Sequence, residues 1–290
     1  LRKKSGLDGQ PFATLRGHDY SPTPLPMKHF FICLSLLFFG VSAFAQNPIK
    51  HAHNDYEHPH PLTDALAAGF HSVEADVYLI GGDLFVAHER PGQPDTLRNL
   101  RNLYLKPLAA IIQKNGGKVY PNDTAPFFLM IDIKTQGEAV YELLKKQLAP
   151  YQSMLTRYTD KDMQYGACTV FISGDRPFST LLRDSVRYIA LDGRPGDIGK
   201  GYTVSQMPVI SDSYASQVKW FGKGPIPVTE QQRLNDLVAA VHKEGKRLRL
   251  WASPESVDVW KVLFDAKVDF LNTDHLEELS QFLKAQAERK

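Results

Sequence analysis

Phe127–Lys134 reads Phe-Phe-Leu-Met-Ile-Asp-Ile-Lys, a short apolar run that turns polar only at its end, at Asp132 and Lys134. A run of this length is a buried strand, and residues two apart on a strand share a face. Working outward, the same design recurs at Ile49–Asn54, Ser72–Ile80, Thr169–Asp175, Tyr188–Asp192, Pro208–Asp212, Arg247–Ser253 and Phe270–Asp274. That makes eight strands. Amphipathic stretches separate them, at Leu62–Ala68, Leu103–Lys114, Gly137–Leu148 and Leu276–Ala287. Thr229 with Gln232 three residues on predicts a capping box, followed by an apolar stripe of Leu234, Leu237, Val238 and Val241. Ser253-Pro254 predicts another helix start with Pro in the first turn, its Val257, Trp260, Leu263 and Phe264 facing inward. Strand–helix alternation of this kind specifies the α/β class and a single (β/α)8 TIM barrel. Gly81-Gly82-Asp83 should fold Leu84–Ala87 back on the second strand as an extra β-hairpin, and Gly92–Pro126 is a long loop or lid with its own helix.

The strands finish in His53-Asn54, Glu74/Asp76, Asp132/Lys134, Ser173/Asp175, Asp192, Ser211/Asp212, Trp251/Ser253 and Thr273/Asp274. In a barrel those ends meet at one face, where active sites sit. Asp175, Asp192 and Asp212 read best as caps of the helices that follow them. The early strands carry the chemistry.

The leader has to be removed before charge is interpreted. Met27-Lys28-His29, the apolar Phe30–Gly40 and Ala43-Phe44-Ala45 form a signal-peptide pattern at 27–45, with cleavage expected near Ala45-Gln46. Residues 1–26 read as an upstream extension and 46–290 as the barrel domain. The whole chain has a net charge of +2, but removing 1–45 leaves 29 basic residues against 30 acidic ones. No basic run remains, so composition gives no case for a nucleic-acid partner. The apolar stretch is short for a membrane span. The expectation is an exported, periplasmic or secreted protein whose mature chain has no transmembrane span. It keeps one cysteine, Cys168, which reads as a packed thiol.

Glu74 and Asp76 are two residues apart on one strand and face the same way. Two carboxylates that close repel unless a cation sits between them, and oxygen donors favour Ca²⁺ or Mg²⁺ over zinc. Asp132 supplies a third carboxylate and Asn54 a neutral amide oxygen. Six of the eight mature-chain histidines fall between His51 and His88. Of these, His53 and His88 stand at strand ends and suit acid–base work on either side of a phosphorus. His51, His58, His60 and His71 read as structural or rim residues. Lys134, on Asp132's face, offers a cation to a phosphoryl oxygen.

His53-Asn54, Glu74-x-Asp76, His88, Asp132-x-Lys134, Trp251 and Asn272-Thr273-Asp274, in that order, resemble the phosphatidylinositol-specific phospholipase C-like phosphodiesterase superfamily. That group includes glycerophosphodiester phosphodiesterases and the spider sphingomyelinases D. His53-Asn54-Asp55-Tyr56, Val73–Val77 and Leu103–Leu108 are most similar to the altered inheritance of mitochondria protein 6 subgroup. The resemblance spans Lys50–Leu279. It implies catalytic His53 and His88, a divalent ion on Glu74, Asp76, Asp132 and Asn54, and a substrate pocket lined by Lys134 and Trp251. The substrate class implied is a small phosphodiester or phospholipid-derived molecule, cleaved by hydrolysis or through a cyclic phosphate. Glycerophosphodiesterases carry Arg in place of Asn54 and Glu in place of Asp132; these departures bear on glycerol-phosphate recognition and leave the phosphodiester chemistry untouched, so the resemblance implies a glycerophosphodiester- or phosphoinositide-like substrate.

Two rival readings are distinguishable. His51-Ala52-His53 on a first barrel strand, with Asp274 on the last, also suits an amidohydrolase-type metal site, but such a site needs further histidines on the middle strands. Residues 89–241 contain none. A ligand-binding barrel without activity has no use for an acid–base pair.

Overall fold

The computed structural model describes Gly17 and residues 47–160 and 162–289. The leader expected at 27–45 lies outside the described residues. The fold occupies the compact unit Ala45–Lys290.

In chain order the first strands are β1 (Ile49–Ala52), β2 (Ser72–Ile80), β3 (Asp83–Val86) and β4 (Phe127–Ile133). Next come β5 (Arg157–Thr159), β6 (Met163–Gln164), β7 (Cys168–Gly174), β8 (Val186–Arg187) and β9 (Ala190–Gly193). The last are β10 (Val209–Ser213), β11 (Arg247–Trp251) and β12 (Phe270–Thr273). Eight of them pair in parallel in the cyclic order β1-β2-β4-β7-β9-β10-β11-β12, closed by β1 against β12. This is the TIM barrel expected. The hairpin is present as well, β3 lying antiparallel on β2 through Val77↔Val86 to Ile80↔Asp83.

Helices α1 (Thr63–Ala67), α2 (Lys106–Lys114), α3 (Gly137–Leu148) and α4 (Phe178–Arg183) cover the first half. Helices α5 (Tyr214–Gln217), α6 (Val228–Lys243), α7 (Val257–Asp265) and α8 (Leu276–Ala287) cover the second. Alternation along each strand divides the barrel into two cores. Val73, Leu129, Ile172 and Leu250 face outward and pack with helix residues such as Leu144, Leu234 and Leu263 in the large cluster. Phe128, Met130, Phe171, Ala190, Val209 and Phe270 fill the inside. The Phe128 and Phe270 rings meet edge to face at 5.3 Å. Truncating Phe270 to Ala would cost about 3–5 kcal/mol through lost burial and the cavity left behind. Because apolar residues hold that layer, the polar residues of the same strand faces lie above it, towards the strands' C-terminal ends.

Two local expectations are corrected. Helix α6 starts at Val228 behind Pro227, with no side-chain cap, so Thr229 and Gln232 lie inside the helix and form no capping box. Helix α7 starts at Val257, capped by Ser256, whose hydroxyl accepts from Val259 N; Pro254 lies ahead of the helix, and Val257 is exposed. The three-stranded antiparallel sheet β6-β5-β8 had no counterpart in the sequence pattern. Its Tyr158 and Met163 pack onto the interior cluster. In the long loop, a π-turn at Arg101–Leu105 runs into α2. Tyr120 Oη reaches back to Phe70 O (2.5 Å) and His71 Nε2 lies 2.8 Å from Asp123 Oδ2, which fixes the loop against the first βα unit.

Candidate active site at the barrel mouth

Strand register places the acidic residues. Asp76 pairs with Asp132 across β2 and β4, and Asp132 with Ser173 across β4 and β7. Glu74 is two residues earlier on β2, one layer deeper. Carboxylate oxygens of Glu74, Asp76 and Asp132 all lie within 4.8 Å of one another, and this is the one such metal-competent cluster among the described residues. Gly174 keeps the neighbouring strand end close to it. Its φ is +71°, and a Cβ there would collide with Ile133 O and stand 2.8 Å from Asp132 Oδ1.

Each carboxylate has a different charge environment. Glu74 Oε2 accepts from Arg249 Nη2 at 2.5 Å and lies 3.2 Å from His51 Nε2. Burial pushes Glu74 towards the neutral acid, but Arg249 and the His51 hydrogen bond outweigh it and hold the carboxyl well below the usual range. Asp76 and Asp132 share Lys134, whose Nζ is 2.6 Å from Asp76 Oδ2 and 2.7 Å from Asp132 Oδ2. Asp76 is nonetheless pushed up to about 6, because burial and the Glu74 charge exceed what Lys134 and Tyr56 return. Asp76 Oδ1 is buried without a hydrogen-bond partner. The cluster is thus short of positive charge and keeps an unused buried acceptor, which fits a cation held by oxygen ligands.

The two candidate histidines approach these carboxylates from neighbouring strands. His53 follows β1, and its Nδ1 lies 2.9 Å from Asp274 Oδ1. Burial lowers its proton affinity; the Asp274 hydrogen bond and the charges of Glu74 and Asp274 overcome this, so its pKa is raised. Asp274 is itself positioned by Glu255, which accepts from Asp274 N at 3.0 Å and from Thr273 Oγ1 at 2.6 Å. His88 follows β3, with Nδ1 3.6 Å from Asp76 Oδ2 and 3.3 Å from Tyr56 Oη, and its side chain is largely exposed on the rim. Asn54 has a left-handed backbone (φ 48°), a conformation Asn tolerates, and its amide lies 2.8 Å from Tyr56 Oη. Trp251 ends β11, two residues beyond Arg249 on the same strand face, and is partly exposed.

His51 is fully buried one layer below the mouth. Its Nδ1 is 2.6 Å from Ser72 Oγ, and burial with the nearby Arg249 lowers it to about 4, so it is neutral and structural. His51 therefore sits below the mouth and does not join His53 as an amidohydrolase pair would require. The cap reading of three aspartates is also corrected. Asp192 is buried in the barrel, its Oδ2 accepting from Ser173 Oγ (2.8 Å), Ser211 Oγ (2.5 Å) and Arg194 Nη1 (2.8 Å). Asp175 Oδ2 accepts from Gly137 N at the start of α3, not from its own following helix. Asp212 braces α5 through Gln217 Nε2 at 2.6 Å while Ser213 caps it.

Tyr56, Arg249, Glu255 and the Asp274–His53 pairing were not assigned to this site from sequence. Arg249 carried a readable signal. In Arg247-Leu248-Arg249-Leu250-Trp251 the arginines alternate with leucines on the same face as Trp251, and a buried Glu74 needs a counter-charge. Tyr56 carried only its place beside Asn54.

Comparison with known proteins gives a consistent result. The family model of the AIM6-like phosphodiesterase domain matches residues 43–192. Altered inheritance of mitochondria protein 6 of Eremothecium gossypii is 30% identical over 267 residues, covering 80% of this chain and 68% of that protein. The homolog from Arthroderma benhamiae is 27% identical over 253 residues, covering 77% of this chain and 80% of its own length. The Saccharomyces cerevisiae (strain RM11-1a) protein is 26% identical over 275 residues, covering 79% and 70%. With half the chain matched by the family model and relatives aligned over most of its length, this protein belongs to the AIM6-like phosphodiesterase domain family.

Proposed function

We propose that the protein is a metal-assisted phosphodiesterase in which His53 and His88 perform general base and general acid catalysis. The observation that supports this most strongly is the charge-deficient cluster of Glu74, Asp76 and Asp132, with His88 Nδ1 3.6 Å from Asp76 Oδ2 and His53 within the field of the Glu74 charge. Glu74, Asp76 and Asp132, with the Asn54 amide, are the residues that would hold a Ca²⁺ or Mg²⁺ ion. When bound, the ion would neutralise a non-bridging phosphoryl oxygen.

This chain's own residues account for the remaining work. Asp274 engages His53 Nδ1, which leaves Nε2 to take a proton from the attacking hydroxyl, and the raised proton affinity makes it a better base. Glu255 keeps Asp274 in place, so the imidazole has one orientation. His88, on the exposed rim, donates to the leaving oxygen. Lys134 holds Asp76 and Asp132 together and gives the phosphoryl group a second cationic neighbour. Trp251 offers an apolar face to the alcohol of the substrate. A small phosphodiester or phospholipid-derived molecule suits a mouth of this kind. Turnover of a chromogenic phosphodiester with and without divalent ions tests the reading; metal binding without turnover across a broad substrate panel would favour a ligand-binding barrel.

Export is part of the same proposal, supported by the Met27–Ala45 pattern. Amino-terminal sequencing of the protein recovered outside the cytoplasm should begin at Gln46, and a cytoplasmic chain retaining residues 27–45 would refute it.

A further inference from the structure

Tyr56 is fully buried in the core, yet its hydroxyl lies among polar atoms. Three polar atoms surround Oη: Asp76 Oδ2 at 2.6 Å, the Asn54 amide through Oδ1 at 2.8 Å, and His88 Nδ1 at 3.3 Å. A phenol has one proton to donate and two lone pairs to offer. Three neighbours can all be satisfied only if one of them accepts and the other two donate.

The accepting neighbour is decided by charge and distance. Asp76 is the closest, an ionised carboxylate is the strongest acceptor of the three, and it has no proton of its own to give. The hydroxyl proton therefore goes to Asp76 Oδ2. Both remaining neighbours must then present N–H. For His88 that means a proton on Nδ1. For Asn54 it means that the amide turns Nδ2 towards Tyr56, because an amide oxygen facing a hydroxyl whose proton is committed elsewhere would set two lone pairs against each other 2.8 Å apart. The amide oxygen is then released from the hydroxyl and becomes available as a ligand.

We infer that Tyr56 is a positioning residue, which by donating to Asp76 fixes His88 as its Nδ1–H tautomer and turns the Asn54 amide oxygen away from itself. The inference deepens the proposed phosphodiesterase reading, since it determines which His88 nitrogen faces the reaction: Nε2 takes up the second proton of the imidazolium and passes it to the leaving oxygen, which returns His88 to the neutral Nδ1–H tautomer held by Tyr56. It also explains why a buried tyrosine two residues after Asn54 touches a residue from each of three segments, the β1 turn, β2 and the end of the β3 hairpin. Arg98 Nη2, at 2.7 Å from Tyr56 O, anchors its backbone from the long loop.

The test is the imidazole nitrogen spectrum of metal-free protein labelled with ¹⁵N at histidine, recorded at a pH where His88 is neutral and assigned with His88→Gln. The wild-type His88 should show a protonated Nδ1 and a bare Nε2, and Tyr56→Phe, which removes only one oxygen, should lose that preference. In uniformly labelled wild-type protein the Asn54 side-chain NH₂ should show NOEs to the Tyr56 ring edge. A wild-type His88 protonated at Nε2 with a bare Nδ1 would overturn the inference by itself, whatever the variant does. So would identical tautomers in wild type and Tyr56→Phe, or Asn54 amide protons with no NOE to Tyr56. In turnover assays Tyr56→Phe should lower kcat about 10-fold with KM nearly unchanged, a modest part of the usual acid–base contribution. Absence of turnover on any phosphodiester would sink the functional reading but leave the tautomer result standing, so the two failures are separable.

Discussion

Arg249 Nη2 stands 2.5 Å from Glu74 Oε2, a contact made across the inside of the barrel between strands that are not neighbours in the sheet. Both side chains are almost entirely buried. Glu74 therefore differs from Asp76 and Asp132: it has a permanent counter-charge below the mouth, and its negative charge is built into the fold.

Removing that counter-charge should be costly. Arg249→Met leaves a buried carboxylate with only a neutral His51 beside it, and the expected loss is about 3–5 kcal/mol in urea unfolding. Adding Glu74→Gln to Arg249→Met should recover part of the loss. Additive losses in the double variant would show that the pair is not coupled.

The shortage of positive charge around Asp76 predicts a response to divalent ions. At an ion concentration 100-fold above Kd, wild-type protein should gain about 2.7 kcal/mol of stability. For a chain of this size that is a rise of about 5–10 °C in Tm. Asp132→Asn should abolish the rise. An equal rise in wild type and variant would place the ion elsewhere.

The pH profile should follow His53. As the general base it must be neutral, and its raised pKa sets the acidic limb of kcat/KM above the position of an ordinary histidine. Asp274→Asn removes the hydrogen bond and charge that raise it, leaving burial, which lowers it. The acidic limb should then move to lower pH. An unmoved limb, or one displaced upward, would remove His53 from the role of base.

Asp55 gives a separate stability prediction. Its Oδ2 accepts from Leu62 N at 2.6 Å and Tyr104 Oη at 2.9 Å, which ties the turn after β1 to the long loop, while Oδ1 is buried without a partner. Burial pushes it up to about 6 from 3.8. The folded state then holds this proton more tightly than the unfolded chain, so stability falls as pH rises from about 4 to about 6 and stays lower above that. Asp55→Asn keeps the acceptor and removes the charge. At pH 8 its unfolding free energy in urea titration should exceed that of wild type by a margin on the order of 3 kcal/mol, shrinking towards pH 4. A variant less stable than wild type at pH 8 would contradict this.

The barrel was legible because its strands are apolar runs that end in polar residues, and the parity of Glu74 and Asp76 was enough to bring their carboxylates together. What could not be read was anything that depends on pairing across the lumen. Asp192 looked like a helix cap because a strand-end aspartate followed by a helix has that pattern; only closure of the barrel brings Ser173, Ser211 and Arg194 onto it. Asp274 and Glu255 are from adjacent strand ends and meet through backbone geometry that spacing does not encode. Ser253-Pro254 imitated a helix start because Ser256, the true cap, has the same chemistry three residues later. Tyr56 carried no signal beyond its place in the His53–Tyr56 stretch, because its importance lies in where Asp76 and His88 arrive.

The most direct test of the account is turnover of bis(p-nitrophenyl) phosphate with Ca²⁺ or Mg²⁺ by wild type, His53→Ala and His88→Ala. Measurable wild-type turnover is expected, falling at least about 10²-fold in each variant while ion binding is retained. Wild-type turnover left unchanged by either substitution would contradict it.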